Sequence, residues 1–330
     1  MEVLLTFLII TYRRPEKVVR LLQSFLDDNW NEFDISDFEI VIADDHSEDN
    51  TLEIISPTIE ALQNKGWLVR YVYRDENLRG DRNLYYGYAK DSIGKFVWFL
   101  CDDDMINVKE AINYLKVVFQ TNPLVSICGF EQGDKNQYGN KFEGEARLIN
   151  SFSESVDYLI KFPKTTAYLM RRCPEIDLDP LFEELDRTLY SWIGLAIYLL
   201  GTNNQDKLFI YPSIVAKADE EYSLLPYSYR IFGTMNFVTE RSIEFADLSF
   251  KLIKPQLYNL KYEDEILLNL TGLRAHYSWR TTIKYTPTIL EQEWSFFKTN
   301  WLKCFGSPIR FTSLLKFLIY FIISKNVFRR

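Results

Sequence analysis

Three aspartates in a row, Asp102-Asp103-Asp104, follow an apolar run, Phe96 to Leu100 (FVWFL). Adjacent carboxylates repel one another, so when ionised together they call for a cation. A divalent ion held by one or two carboxylates keeps positions open for phosphate oxygens, and it neutralises the charge that develops on a departing diphosphate. The other reading is an acidic turn before the next helix, where aspartate is favoured near the positive helix end. A second acidic pair, Asp44-Asp45, ends another apolar run, FEIVIA, and opens the segment DDHSEDNT. Either carboxylate could accept hydrogen bonds from a nucleobase or a ribose. Ser47, Asp49 and Thr51 could instead cap the helix that follows. A third segment, Asn77 to Asn83 (NLRGDRN), combines Gly80, which permits close backbone approach, with Arg79 and Arg82, which could pair with a diphosphate. An ordinary turn leading into a helix is the alternative there.

The residue inventory narrows the chemistry. The 330 residues include only two histidines, His46 and His276, and four cysteines, Cys101, Cys128, Cys173 and Cys304, with no C-x-x-C pair. A zinc site or a disulfide framework is not expected, and reduced thiols fit a cytoplasmic compartment. Any metal site must lean on carboxylates, which suits Mg²⁺ or Mn²⁺. The formal net charge of -8 argues against nucleic acid as a partner, because that role needs a basic footprint. The apolar share of 47% is ample for a large core. His46 reads as a loop residue near the nucleotide, His276 as structural, and Cys101 as packing at a strand end.

These groups need a frame. Leu4 to Thr11 is continuously apolar, as in a parallel strand covered on both faces. It lacks a basic leader and a cleavage site, and Arg13-Arg14-Pro15 follows at once, so it reads as a first strand and not a signal peptide. Helical spacing follows over Pro15 to Leu26, then strand 38–43, helix 51–62, strand 68–73, helix 83–91, strand 96–100, helix 108–120 and strand 125–130. Such alternation predicts right-handed crossovers and a parallel sheet, with ligands at the carboxyl ends of the strands. Both aspartate clusters fall there. Residues 131 to 150 read as a hairpin or exposed loop, Phe182 to Leu200 as a helix, and Leu208 to Val215 as a strand. From about Thr239 the pattern is mostly helical and aromatic.

Together the segments resemble the family 2 glycosyltransferases, inverting enzymes with a GT-A fold. The matching residues are Thr11-Tyr12-Arg13, Asp44 to Thr51, Asn77 to Asn83, and the apolar strand running into Asp102 to Asp104. The phrase WFLCDDD looks nearest to transferases of bacterial surface polysaccharide synthesis. The resemblance implies an α/β GT-A, Rossmann-like sheet, mostly parallel and flanked by helices, over residues 1–238, with a helical extension over 239–330. Its nucleotide-sugar half would be 1–130 and its acceptor half 131–238. Thr11 and Arg13 would line the nucleotide pocket, Asp44 would hold the base, and Arg82 and Asn83 would lie near ribose and diphosphate. Asp102 and Asp104 would form the D-x-D pair, with Asp102 and Asp103 at the donor and Asp103 or Asp104 on Mg²⁺ or Mn²⁺. Cys101 replaces an aspartate common in the family, which leaves the register of that pair open by one residue.

An inverting transferase also needs a base for the acceptor hydroxyl. The family usually supplies an E-D pair about eleven residues before a glycine. Counting back from Gly201 lands on Leu189-Tyr190. Among the nearby carboxylates Glu183, Glu184 and Asp186, the last is the candidate base; a solvated charge at a helix start is the plain alternative. Two rival readings follow: a degenerate, non-catalytic transferase acting as a membrane scaffold, and a sugar nucleotidyltransferase. The latter would want a glycine-rich loop after the first strand, and Thr11 to Pro15 contains no glycine.

The tail has its own character. Residues 286–330 hold seven basic and two acidic residues, a net +5, which leaves -13 for residues 1–285. Ser307-Pro308 is a good helix start. The segment to residue 325 carries one narrow polar stripe and ends in basic residues, as in a helix lying on an anionic membrane surface. The expected partners are a nucleotide-sugar donor and a saccharide or lipid-linked acceptor. The expected location is the cytoplasm, peripheral on the inner face of the plasma membrane. A dock on the catalytic domain or in a dimer is the alternative for that helix.

Overall fold

In the computed structural model the described residues are 3–131, 142, 144–162, 164–186, 191–202 and 208–218. Among the described residues nine strands follow in chain order: β1 (Leu5–Thr11), β2 (Phe38–Asp44), β3 (Leu68–Tyr73), β4 (Phe96–Cys101), β5 (Asp104–Ile106), β6 (Val125–Glu131), β7 (Arg147–Ile149), β8 (Tyr168–Arg171) and β9 (Leu208–Ala218). The helices are α1 (Pro15–Gln23), α2 (Thr51–Asn64), α3 (Arg79–Tyr86), α4 (Val108–Thr121), α5 (Phe152–Lys161), α6 (Asp179–Leu185) and α7 (Ser191–Thr202). The strands form one sheet in the order β3-β2-β1-β4-β8-β6-β9-β5, with β7 pairing β9.

The expected parallel architecture holds for β3, β2, β1 and β4, whose three ladders are all parallel. Beyond β4 the sheet is mixed. β8 enters antiparallel between β4 and β6, and β5 and β7 pair antiparallel with β9. The apolar runs of β1 and β2 are buried along nearly their whole length, as strands covered on both faces must be. Phe7 sits at the centre of an aromatic cluster, with ring centroids 4.8 Å from Phe25, 5.5 Å from Trp30 and 5.7 Å from Trp98.

The helices follow their end signals. Pro15 opens α1 at a position where a missing N–H costs nothing. Asn107 caps α4 through its side chain, and Asn122 closes it in the left-handed region (φ 48°). α3 begins at Arg79, four residues before the expected start, and runs on into a π-helical turn over Gly87–Asp91. The single helix expected over Phe182 to Leu200 is two. α6 stops at Leu185, and Asp186 leaves with an extended backbone (ψ 132°). The chain resumes as α7 at Ser191, with 187–190 outside the described residues. The apolar spacing runs through the break, which is why the sequence reads as one helix. The tail over 239–330, with helix 307–325, His276 and Cys304, lies outside the described residues. Among the described residues no helix is long and apolar enough to cross a membrane.

Strand register places the chemistry. Thr11 pairs with Asp44 across β1 and β2, Ile10 pairs with Cys101 across β1 and β4, and Asp44 pairs with Tyr73 across β2 and β3. The carboxyl ends of four parallel strands therefore lie side by side, and both aspartate clusters open off that edge.

Candidate active site

The first strand end contributes Thr11. Its hydroxyl donates to Asp102 Oδ2 at 2.8 Å. Two residues on, Arg13 has φ 53°, and its N–H donates to Ser47 Oγ at 2.7 Å. That bond ties the loop after β1 to the loop after β2. The Arg13 guanidinium itself points outward, to Glu48 at 2.9 Å. Arg14 turns the other way. Its Nη1 lies 3.1 Å from Asp103 Oδ2 and 3.3 Å from Asp102 Oδ1.

The second strand end holds two buried carboxylates. Asp44 is fully buried and accepts from the Ser47 N–H at 2.8 Å and from the Tyr71 hydroxyl. Asp45 accepts from the Leu78 N–H at 2.7 Å, which anchors the segment that opens α3. Burial raises the Asp45 carboxyl above its ordinary range, against those backbone bonds. His46 has φ 66°, its Nδ1 lies 3.0 Å from Arg74 O, and its ring is 5.4 Å from Tyr73. Arg79 has φ 68°. Of the four non-glycine residues with positive φ among the described residues, three (Arg13, His46, Arg79) thus ring this edge. Each costs free energy that the surrounding bonds must hold in place.

Asp102 turns to Thr11, Arg14 bridges Asp102 and Asp103, and Cys101, Asp103 and Asp104 bring their ligand atoms within 4.8 Å of one another. Thr166, in the short 3₁₀ turn before β8, fixes two members of that group. Its hydroxyl donates to Asp104 Oδ2 and accepts from the Cys101 N–H at 3.0 Å. Burial, then the charge of Asp103, raises Asp102 to about 6 and Asp104 to about 7. Burial, then Asp104, lifts the Cys101 thiol well above its usual range. Lys164 lies within electrostatic reach of Asp104; burial lowers its ammonium, against that attraction. Carboxyls held above their normal range are those a divalent ion would return to the charged form. Two carboxylates beside a thiol therefore fit the divalent ion expected at this edge.

Two expected residues are engaged within the protein. Asn83 is 1% exposed; its amide donates to Ala43 O at 2.8 Å and accepts from Arg74 Nε at 2.9 Å. It props the end of β2. Arg82 Nε lies 2.9 Å from Asp186 Oδ2, with Glu183 at 3.4 Å. The residue expected at the diphosphate and the residue expected as base thus form an ion pair. Arg14, Thr166 and Lys164 are additions. The pair Arg13-Arg14 straight after a strand end was a usable signal for Arg14, whereas nothing local marks Thr166 or Lys164.

The arrangement can hold a cation and an anion together, with carboxylates and arginine on one strand edge. The sequence model described as Glycosyl transferase family 2 matches residues 6–172, which span β1 to β8 and include every residue of this edge. A search among curated proteins finds no match. Among solved structures, the chain is similar to residues 1–349 of TarS from S. aureus, with a TM-score of 0.63 and 16% identity over 99% of this chain and 91% of that one. The same protein in complex with UDP-GlcNAc aligns with a TM-score of 0.51 and 14% identity, again over 99% and 91%. The longer TarS chain aligns at 0.52 and 14% identity over 98% of this chain and 55% of that one. At such identities the likeness speaks for a shared fold, the GT-A arrangement. The family model covers more than half of the chain, and the chain belongs to glycosyl transferase family 2, as a glycosyltransferase.

Proposed function

We propose that this glycosyltransferase moves a sugar from a nucleoside-diphosphate donor to a hydroxyl of a saccharide or lipid-linked acceptor, with inversion. The observation that carries the reading is the strand register, Thr11 beside Asp44 and Ile10 beside Cys101, which sets the two aspartate clusters on one edge. Asp45 and the loop at His46 and Tyr73 would border the base, and Asp103 and Asp104 would hold Mg²⁺ or Mn²⁺. When bound, that ion would offset charge on the leaving diphosphate. Arg14, at 3.1 Å from Asp103, is better placed than Arg82 to bind the same diphosphate. Asp186 is the candidate base, held by Arg82 with its side chain only 15% exposed. In that role it would take the proton of the acceptor hydroxyl as oxygen attacks the anomeric carbon.

The ion pair also favours a second reading of Asp186, in which it only positions Arg82 and another group takes the proton. A panel of nucleotide sugars, assayed for transfer and hydrolysis with and without divalent ions, tests the donor reading. Turnover of at least one donor is expected. No turnover together with no nucleotide binding refutes it. The charge contrast of +5 against -13 supports a role at an anionic inner membrane surface, and the WFLCDDD resemblance would put that role in synthesis of a cell-envelope polysaccharide. A chain ending near residue 305 is then expected to leave the membrane fraction; unchanged fractionation refutes the anchor.

A further inference from the structure

We propose that Cys101 is itself a metal ligand, so that the site is built as C-x-D plus Asp104 and selects borderline divalent ions over Mg²⁺. The inference deepens the functional reading above and rests on its divalent ion. β4 ends at Cys101, and Asp102 and Asp103 form the turn that leads into β5. In that turn Asp102 is engaged by Thr11 at 2.8 Å and by Arg14 at 3.3 Å, and Arg14 also reaches Asp103 at 3.1 Å. The thiol and the carboxylates of Asp103 and Asp104 converge within 4.8 Å.

The site is also held in shape. Thr166 is 1% exposed, binds Asp104 through its hydroxyl and receives the Cys101 N–H, and its carbonyl accepts from Trp98 Nε1 at 2.8 Å. Outer partners of this kind orient ligands before the ion arrives. Cys101 is partly accessible, unlike Cys128, which is buried in the core. A donor set with one sulfur is a poor match for Mg²⁺, which asks for six hard oxygens at near-ideal octahedral angles. Thiolate favours ions later in the first row, such as Co²⁺ and Zn²⁺, with Mn²⁺ tolerated.

Co²⁺ titration of the full-length reduced protein tests this directly. The expected result is a near-ultraviolet sulfur-to-cobalt charge-transfer band that saturates at a single site. Cys101→Ser is expected to abolish the band and to weaken Co²⁺ binding at least roughly tenfold, the order that loss of even an outer partner causes. Cys173→Ser is expected to keep the band. Cys101→Asp, which restores an all-oxygen set, is expected to shift preference from Co²⁺ towards Mg²⁺ by a similar factor. A band that survives Cys101→Ser, Co²⁺ bound without a band, or no Co²⁺ bound at all overturns the assignment. Calorimetric titration with UDP and with GDP runs alongside. Nucleotide binding without the thiol band sinks only the Cys101 ligand, whereas failure of both nucleotides to bind, with any ion, strikes at the donor site itself.

Discussion

Asp104 gives the sharpest quantitative test, because its carboxyl is raised to about 7 by burial and by Asp103. An unfolded aspartate titrates near 3.9. The folded, metal-free protein therefore binds the proton more tightly than the unfolded chain. Stability from this group is greatest at low pH and falls as pH rises through the folded value. Integrated from about pH 4 to pH 8, the gap of about three pKa units amounts to about 4 kcal/mol. Most of that is already lost by pH 6, and roughly 1 kcal/mol goes between pH 6 and pH 8. For a domain of this size that corresponds to a Tm about 2–4 °C lower at pH 8. Thermal unfolding followed by circular dichroism in EDTA measures it. Asp104→Asn, which cannot ionise, is expected to remove this part of the pH dependence and to be more stable than the parent at pH 8 without metal. Added Mn²⁺ is expected to restore the parent at pH 8 and to do little at pH 5.5, where protons hold the site. A Tm of the metal-free parent that does not fall from pH 6 to pH 8, or an identical profile for Asp104→Asn, would refute the reasoning.

The remaining predictions concern named contacts. Asp186→Asn is expected to cut turnover by roughly 10²–10⁴, the share of a general base, with donor affinity intact in a nucleotide titration; unchanged turnover removes it from the base role. Arg14→Ala frees Asp102 and Asp103, so the expected signs are opposite: tighter Mn²⁺ binding without nucleotide and weaker binding of UDP or its counterpart in the presence of the ion. If both move the same way in paired titrations, Arg14 does not link the two. Glu39, fully buried, accepts from Arg70 Nε at 2.7 Å, the Thr6 hydroxyl at 2.5 Å and the Ile93 N–H at 3.1 Å. Glu39→Ala takes the carboxylate from Arg70, which keeps its bond to Asp91 O, and strands the Thr6 hydroxyl and the Ile93 N–H; the expected cost is about 1–3 kcal/mol in urea unfolding, and a loss below 1 kcal/mol would show that water or another carboxylate replaces it.

The parallel half of the sheet was legible because its strands are apolar on both faces and its aspartates stop the runs abruptly, so β1 to β4 and their polar ends follow from local pattern alone. What escaped the pattern depends on register between distant segments. Glu39 interrupts FEIVIA and Arg70 interrupts LVRYVY, but only the pairing of Val41 with Arg70 across β2 and β3 shows that the two charges meet. β8 is four residues long and runs antiparallel, a choice made by the strands beside it, so Thr166 and Lys164 gave no sign of reaching the acidic group. The same holds for the acidic triplet itself. As letters, Asp102, Asp103 and Asp104 are equivalent. They separate only when β4 ends beside β1, which hands Asp102 to Thr11 and Arg14, and when β5 pairs with β9, which turns Asp104 towards Thr166. Three carboxylates then face Arg14 and Lys164, so part of the charge a divalent ion would meet is already offset. A diphosphate that draws Arg14 away would raise the charge left for the ion, and binding of donor and ion should reinforce each other by that electrostatic route.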